Sequence, residues 1–210
     1  PIGAGDTDGN RATILSQASD HTTLNITSRP KQWPCHNVSC ECTFEKRISV
    51  GSVRPDGVRV DATLRTFRTD TFTPEPWTQE LPAVYVNTPP YTRLITYNGS
   101  APYTHGAASE YDMTSSSSGA GMHMHPGRFP ATEHWAALVN GNGYGLGIVC
   151  LVTDKFQANA YGEAAGTTYV SPVKNVTLGA HDVYNFTFHL VLGDVAAIRS
   201  YAYQVAGRSA

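Results

Sequence analysis

Alternation of apolar and polar residues constrains this chain more than any other feature of its sequence. Runs with a period of two recur along its length, bounded by Gly, Pro, Asn and Asp, while helical periodicity is almost absent. Successive side chains of a strand point to opposite faces, so this pattern predicts strands with one face on a core. We therefore expect an all-β protein with almost no helix.

The run over residues 183–192 shows the alternation most clearly. One predicted face is apolar and carries Tyr184, Phe186, Phe188, Leu190 and Leu192. The opposite face carries Asn185, Thr187 and His189. We expect the apolar face to lie on the core and His189 to point to solvent.

Two hairpins and a last strand extend this prediction. The first hairpin turns at Arg54-Pro55-Asp56-Gly57, where Pro presets φ and Gly accepts a positive φ. Its second strand is expected to turn four side chains to the core: Val58, Val60, Ala62 and Leu64. The second hairpin turns at Asn140-Gly141-Asn142-Gly143, and its apolar flanks predict a strand buried on both faces. Residues 198–205 alternate again and predict a final strand, whereas residues 74–130 have the composition of loops around short strands.

Length and composition fit one domain of this class. The chain has 210 residues, of which 40% are hydrophobic, enough to bury the core of one sandwich. We therefore predict a single antiparallel β-sandwich over residues 1–210. The chain opens with Pro1-Ile2-Gly3-Ala4-Gly5, which is neither an initiator Met nor a signal peptide, so we expect an upstream segment to have been removed.

The charge balance argues against two classes of partner. The formal net charge is -2 and only 15% of the residues are charged, so no basic stripe is present for the phosphates of DNA or RNA. No apolar run approaches the roughly 20 residues that span a bilayer. We expect neither a nucleic-acid partner nor a membrane span.

Acceptor sequences for N-linked glycans point to the extracellular compartment. Five Asn-x-Ser/Thr sequences occur, at Asn25, Asn37, Asn98, Asn175 and Asn185. Chance would supply roughly two in a chain this rich in Ser and Thr. The excess predicts a secreted, N-glycosylated protein, and a Ser/Thr-rich composition without glycans is the alternative.

The cysteines form an even set that suits an oxidising compartment: Cys35, Cys40, Cys42 and Cys150. Their spacing does not match a zinc ribbon, because Cys40-Glu41-Cys42 places both sulfurs on one face of a strand. We favour a local Cys35–Cys40 disulfide, with Cys42 and Cys150 either paired or buried as small apolar residues. The sequence alone does not separate the alternative pairings.

Aromatic residues cluster among Asn, Thr, Arg and His in the loop-rich middle of the chain. They are Trp77, Tyr85, Tyr91, Tyr97, Tyr103, Tyr111 and Phe129. Such a mixture stacks on the C–H faces of sugars and hydrogen-bonds their hydroxyls. For any single ring, packing in the sandwich is the alternative, so it is the cluster that favours a carbohydrate site.

Two carboxylates lie in apolar or aromatic surroundings. They are Glu80, in Gln79-Glu80-Leu81-Pro82-Ala83-Val84-Tyr85, and Glu133, in Thr132-Glu133-His134-Trp135. Such surroundings raise a carboxyl pKa toward values useful in acid–base catalysis. Paired carboxylates serve glycosidic chemistry, and a His with a Glu can open and close a sugar ring. The alternative is that each carboxylate holds loop amides or an Arg such as Arg93 or Arg128.

Met122-His123-Met124-His125 offers a third constellation. Two His side chains at i and i+2 of an extended segment point the same way and could share a metal with His134, His105 or Glu133. Solvated histidines on a glycine-flanked loop are the commoner arrangement, so we expect no metal and no cofactor. The chain also has no Gly-x-Ser-x-Gly elbow, phosphate loop or His-Glu-x-x-His motif.

The order of motifs from Gln32-Trp33-Pro34 to Tyr203 is similar to that of a group of secreted, carbohydrate-associated β-sandwich proteins. It resembles more distantly the galactose-mutarotase-like supersandwich of sugar epimerases and some polysaccharide lyases. The stretches that carry the resemblance are Cys42-Thr43-Phe44-Glu45, Gln79 to Tyr85, Arg93-Leu94-Ile95-Thr96-Tyr97, residues 132–139 and Ile198-Arg199-Ser200-Tyr201-Ala202-Tyr203.

The resemblance implies a carbohydrate ligand on a concave sheet face, with His and Glu as acid and base in the epimerases. The chain is short for the whole supersandwich, so we expect it to be the C-terminal part of a longer precursor. The resemblance transfers no diagnostic motif residue by residue.

Two functions follow as hypotheses. The first is an extracellular carbohydrate-binding or carbohydrate-active module, and whether it is an enzyme stays open. Its catalytic candidates are Glu80, Glu133, His123 and His125, and its ligand-binding candidates are Tyr97, Trp135, Tyr91, Tyr103 and Arg93. The second is a structural subunit of an extracellular glycoprotein coat, fibre or matrix, self-associating through exposed strands.

Overall fold

The computed structural model describes residues 5–32, 36–71, 73–114, 122–161 and 166–209, with the backbone alone for residues 122–125 and 161. The described residues form strands β1 (Thr13–Ser19), β2 (Thr23–Arg29), β3 (Cys42–Val50), β4 (Gly57–Thr66), β5 (Trp77–Glu80), β6 (Val84–Asn87), β7 (Arg93–Thr96), β8 (Ser109–Asp112), β9 (Met122–Pro130), β10 (Trp135–Val139), β11 (Tyr144–Val149), β12 (Lys155–Tyr161), β13 (Thr167–Val176) and β14 (Val183–Asp194), and helix α1 (Val195–Val205). The predicted mostly-β class is confirmed. No helix in this part of the chain has the length and apolar character needed to cross a membrane.

The strands form two antiparallel sheets. A nine-stranded sheet has the order β1-β2-β3-β4-β14-β11-β10-β7-β8. The five-stranded sheet has the order β5-β13-β12-β9, and β6 also pairs with β13. Many sheet neighbours are also consecutive in sequence, as short connections between antiparallel strands require.

The chain divides into two compact units. Unit 1 comprises Pro1–Val50, Arg59–Trp77 and Asn175–Thr187, and unit 2 comprises Gly51–Val58, Thr78–Lys174 and Phe188–Ala210. In unit 1, Phe44 of β3 stacks on Phe186 of β14 with ring centroids 6.2 Å apart. On the opposite face of the sheet, Thr63 donates a hydrogen bond of 2.6 Å to the side-chain oxygen of the exposed Asn185. The predicted outward orientation of Asn185 is confirmed.

The hairpin of β10 and β11 forms the centre of unit 2. All five residues of β10 are fully buried, in agreement with the apolar run. The side-chain oxygen of Asn140 closes the turn by accepting from the amides of Asn142 and Tyr144 at 3.0 and 3.1 Å. Gly143 follows with a φ of 76°, a conformation that glycine adopts without strain.

The last element is a helix, so the strand predicted over residues 198–205 is wrong. The Asp194 side chain caps α1 by accepting from the amide of Ala197 at 2.7 Å. Ile198, Tyr201 and Ala202 recur at helical spacing and are buried. Gly147 of β11 permits the close approach of the helix, since a Cβ there would lie 2.4 Å from Ile198.

Helix α1 also explains two errors in the predicted orientation of β14. His189 does not point to solvent but is only 6% exposed, because the Tyr201 side chain covers it, with Nδ1 3.1 Å from the Tyr201 hydroxyl. Leu192 does not lie in the core but is 55% exposed. Once a helix covers one face of a strand, polarity alternation no longer indicates which face is buried.

The disulfide also differs from the prediction. Cys40 is bonded to Cys42, with Cα atoms 5.1 Å apart, so Cys40 is not available to Cys35. That separation lies within the range that a disulfide accommodates. Cys35 lies outside the described residues. Cys150 is buried and forms no disulfide with a described cysteine, and burial raises its pKa to about 12.

Candidate functional site

One face of the five-stranded sheet gathers polar side chains from neighbouring strands. In β12, Phe156 and Ala158 are fully buried in the apolar core, so Gln157 and Asn159 project from the opposite face. Tyr169 of β13 is the cross-strand partner of Asn159. We use the name polar face for the surface formed by six side chains: Glu80, Tyr85, Arg128, Gln157, Asn159 and Tyr169.

A hydrogen-bond network joins these side chains. The Tyr169 hydroxyl donates to Oε1 of Glu80 at 2.8 Å. The Gln157 amide donates to the same oxygen at 3.1 Å and to the Tyr169 hydroxyl at 2.9 Å. Asn159 also donates to that hydroxyl. Among the described residues, none donates to the second carboxylate oxygen of Glu80, which leaves Oε2 available to a ligand.

The network fixes the protonation of Tyr169. Burial, followed by the hydrogen bond and negative charge of Glu80, raises the pKa of Tyr169 above its usual value. The hydroxyl therefore keeps its proton and acts as a donor to Glu80. As a result, Glu80 is held as a hydrogen-bond acceptor at the rim of the face, above the buried Asn159 and Tyr169.

An aromatic ring lies beside this network. Tyr85 of β6 is the cross-strand partner of Tyr169, and their ring centroids are 5.0 Å apart. Tyr85 is 54% exposed, so one side of its ring faces solvent. An exposed ring next to fixed amide and carboxylate groups is suited to stacking on a sugar while its hydroxyls are hydrogen-bonded.

The Arg128 side chain extends across the polar face. Nη2 of Arg128, on β9, donates to the hydroxyl of Thr78, on β5, at 3.2 Å. Strands β12 and β13 lie between β9 and β5. On a flat sheet, three spacings of about 4.8 Å would separate those outer strands by about 14 Å. The long Arg128 side chain covers most of this distance, so it lies over β12 and β13 and reaches toward β5.

Glu133 occupies a different environment. It is fully buried just before β10, and its carboxylate forms a two-point ion pair with Arg199, at 2.8 and 2.7 Å. It also accepts from the Trp135 indole at 2.9 Å, the Tyr203 hydroxyl at 2.8 Å and the Tyr103 amide at 2.9 Å. These five hydrogen bonds occupy both oxygens and join the segment around Tyr103, β10 and α1.

The expected rise in the Glu133 pKa is wrong. Burial alone would raise that pKa, but the hydrogen bonds from Arg199, Trp135, Tyr203 and the Tyr103 amide together lower it. Glu133 is therefore ionised at neutral pH and fully occupied by donors. Its partners and those of Glu80 have no residue in common, so the structure does not bring the two predicted carboxylates together.

In the described part of the chain, the other predicted residues take no part in the hydrogen-bond network around Glu80. Trp135 is fully buried, and Tyr97 is buried with its hydroxyl donating to the Ala101 carbonyl at 2.9 Å. Tyr103 packs edge-on against Tyr203 with ring centroids 5.1 Å apart. Arg93 pairs with Glu110. Tyr91 is half-buried, and its carbonyl accepts from Thr168.

His123 and His125 lie in β9, where His123 is the register partner of Ala160, but their side chains fall outside the described ones. The expectation of no metal at residues 122–125 therefore stays a prediction, and a metal there stays the alternative. Within the described residues, no three His, Cys, Asp or Glu side chains form a group that could hold a metal ion.

Sequence reasoning does not select Gln157, Asn159, Tyr169 or Arg128 for the site. Their signal is the alternation of polar residues with apolar ones in β9, β12 and β13, at positions that the sheet register places side by side. This signal can be recognised only when the pairing of the strands is known, because the residues lie far apart in the sequence.

The fold resembles that of galactose-mutarotase-like proteins and aldose 1-epimerases, in agreement with the sequence resemblance. A putative aldose 1-epimerase from Escherichia coli K12 superposes with a TM-score of 0.54 at 9% identity, over 89% of this chain and 70% of that chain. A second, from Klebsiella pneumoniae subsp. pneumoniae MGH 78578, has a TM-score of 0.53 at 12% identity, over 92% and 57%.

The galactosidase domain of an alpha-galactosidase-sucrose kinase also superposes, with a TM-score of 0.53 at 9% identity, over 91% of this chain and 30% of that chain. The chain thus spans less than two thirds of the second and third of these structures. No protein-family model matches the sequence, and no curated protein matches it.

Proposed function

We propose that this chain is an extracellular carbohydrate-binding module whose ligand lies on the polar face of the five-stranded sheet. Tyr85 stacks on a sugar ring, while Glu80 and Gln157 hydrogen-bond its hydroxyls. The observation that carries the proposal is the joining of Glu80, Gln157 and Tyr169 into one network, beside an exposed aromatic ring. The fold shared with putative aldose 1-epimerases supports it.

Binding is tested with an array of neutral and acidic oligosaccharides. We expect Tyr85→Ala to weaken binding of the selected sugar by about threefold to tenfold, the effect of one lost stacking contact. Tyr144→Ala is the matched control, because Tyr144 is also half exposed but lies on β11 of the other sheet. If the folded protein binds no sugar on the array, the proposal is wrong.

Catalysis is a separate question, because the polar face brings a single described carboxylate to the ligand. If the chain turns over a sugar, Glu80 is the candidate base, and Glu80→Gln should abolish turnover while binding persists. Anomer interconversion followed by NMR measures this directly. If Glu80→Gln changes binding and no turnover is detected with the wild-type protein, the module is a lectin.

Secretion and N-glycosylation are part of the same proposal. All five acceptor asparagines occupy exposed positions, which supports access for glycans on the folded surface: Asn25, Asn37, Asn98, Asn175 and Asn185. The intact mass of native material before and after enzymatic deglycosylation tests this. An unchanged mass would contradict the glycosylation proposal without affecting the sugar-binding one.

A structural role is the second candidate, and strand β1 favours it. This strand forms one edge of the nine-stranded sheet, and all seven of its residues are exposed, including Ile14 and Leu15. Exposed edge strands pair readily with strands of other molecules. Light scattering across a concentration series tests the idea, with assembly expected for the wild-type chain and a monomer for an Ile14→Lys, Leu15→Lys variant. A wild-type monomer at high concentration would contradict it.

A further inference from the structure

Arg128 differs from most arginines of this chain in its partner. Six arginines form ion pairs with carboxylates: Arg54, Arg59, Arg65, Arg68, Arg93 and Arg199. Arg128 is exposed, and among the described residues its one hydrogen bond goes to the neutral hydroxyl of Thr78. No described carboxylate lies within ion-pair distance of it. Its guanidinium therefore retains most of its capacity to bind an anion.

This guanidinium lies on the polar face. Arg128 is the direct cross-strand partner of Gln157, and the Gln157 amide donates to Glu80. Directly opposed side chains of neighbouring strands have Cβ atoms about 4.5–5.5 Å apart, so Arg128 and Gln157 contact the same ligand volume. The face thus combines one unneutralised cation with one carboxylate acceptor.

We propose that the ligand is an acidic sugar, a uronic acid residue whose carboxylate binds Arg128 while its hydroxyls bind Glu80 and Gln157. The inference rests on the proposed carbohydrate function of this face. The planar guanidinium matches a carboxylate at two points, and a charge-assisted pair is stronger than the neutral bond to Thr78 that it replaces. Repulsion between Glu80 and the sugar carboxylate disfavours the reversed orientation, so the two charges also orient the ring.

The test compares oligogalacturonides and oligoglucuronides with their carboxyl-reduced counterparts, which keep the same linkages and hydroxyls. Calorimetry on the whole chain measures each affinity. We expect the acidic forms to bind at least about tenfold more tightly, the ratio that one charge-assisted hydrogen bond supplies. In Arg128→Gln, acidic and reduced forms should bind equally, at the wild-type affinity for the reduced form.

Arg47→Gln is the control, because it removes the same charge from another exposed arginine, on β3. Equal wild-type binding of acidic and reduced forms would overturn the inference and leave the proposed function standing. A preference for acidic forms that survives in Arg128→Gln, or a stronger preference for sulfated neutral oligosaccharides, would also overturn it. Absence of binding to every sugar by the folded protein would overturn the proposed function itself.

Discussion

Glu133 and Arg199 form a buried ion pair in which each charge depends on the other. The Glu133 side chain is fully buried and that of Arg199 is 15% exposed, so removing one partner leaves the other charge poorly solvated. We expect Glu133→Gln to lower the free energy of unfolding by about 3–5 kcal/mol, measured by urea denaturation at neutral pH.

The exposed pair of Arg93 and Glu110 supplies the control for this variant. Its side chains are 34% and 47% exposed, so Glu110→Gln should cost less than about 1 kcal/mol. If the two Glu→Gln variants lose similar free energy of unfolding, the buried network around Glu133 stabilises the fold no more than an exposed ion pair does.

The lowered pKa of Glu133 also predicts a pH dependence. A carboxyl whose pKa is lower in the folded state than its usual value of 4.5 contributes stability that is complete above that value. The contribution is lost as the pH falls through the folded-state pKa. Because Gln does not titrate, the stability difference between wild type and Glu133→Gln should shrink when unfolding is measured at about pH 7, 5 and 3.5. A stability difference that stays constant over this pH range would contradict a lowered pKa of Glu133 in the folded state.

Helix α1 is a single element whose first turn depends on a local capping interaction. The exposed Asp194 side chain accepts from the Ala197 amide, one of the helix donors without a partner inside the helix. We expect Asp194→Ala to cost about 1 kcal/mol in thermal or urea unfolding. Asp154→Ala is the control, since Asp154 is exposed and precedes a strand. Equal effects of the two substitutions would show that the cap contributes nothing specific.

Helix α1 also shows that a period of two in polarity does not by itself distinguish a strand from a helix. Residues 198–205 satisfy a period of two, yet Ile198, Tyr201, Ala202 and Val205 also recur at helical spacing, and the Asp194 cap decides between them. Hairpin strands β10 and β11 are predictable, because Asn140 and Gly143 carry the turn chemistry within the hairpin itself. Local signals therefore identify the second hairpin, and an ambiguous period produces the wrong prediction over residues 198–205.

Sheet order and the polar face lie beyond what such local signals determine. Glu80 is 77 residues from Gln157 and 89 from Tyr169, and only the pairing of β5, β12 and β13 brings them together. Glu80 itself is predictable as a carboxylate in an apolar segment. Its partners are not, because a residue's neighbours on a sheet are set by register between distant strands. The same limit explains why the sequence names both Glu80 and Glu133 as candidates without giving their separation, and the structure places Glu133 in a separate network.

For the molecule as a whole, Asn185 links the fold to the proposed compartment. Its side-chain oxygen accepts from Thr63, and a glycan is attached through the side-chain nitrogen, so modification leaves that hydrogen bond in place. We expect peptide mapping of native material to find sugar on Asn185, and we expect Asn185→Gln to remove it without unfolding the protein. A one-residue slip of β14 would bury Asn185 and expose Phe186 to solvent. If the peptide containing Asn185 is wholly unmodified while Asn25, Asn37, Asn98 and Asn175 carry sugar, the outward orientation of this part of β14 is contradicted in the native protein.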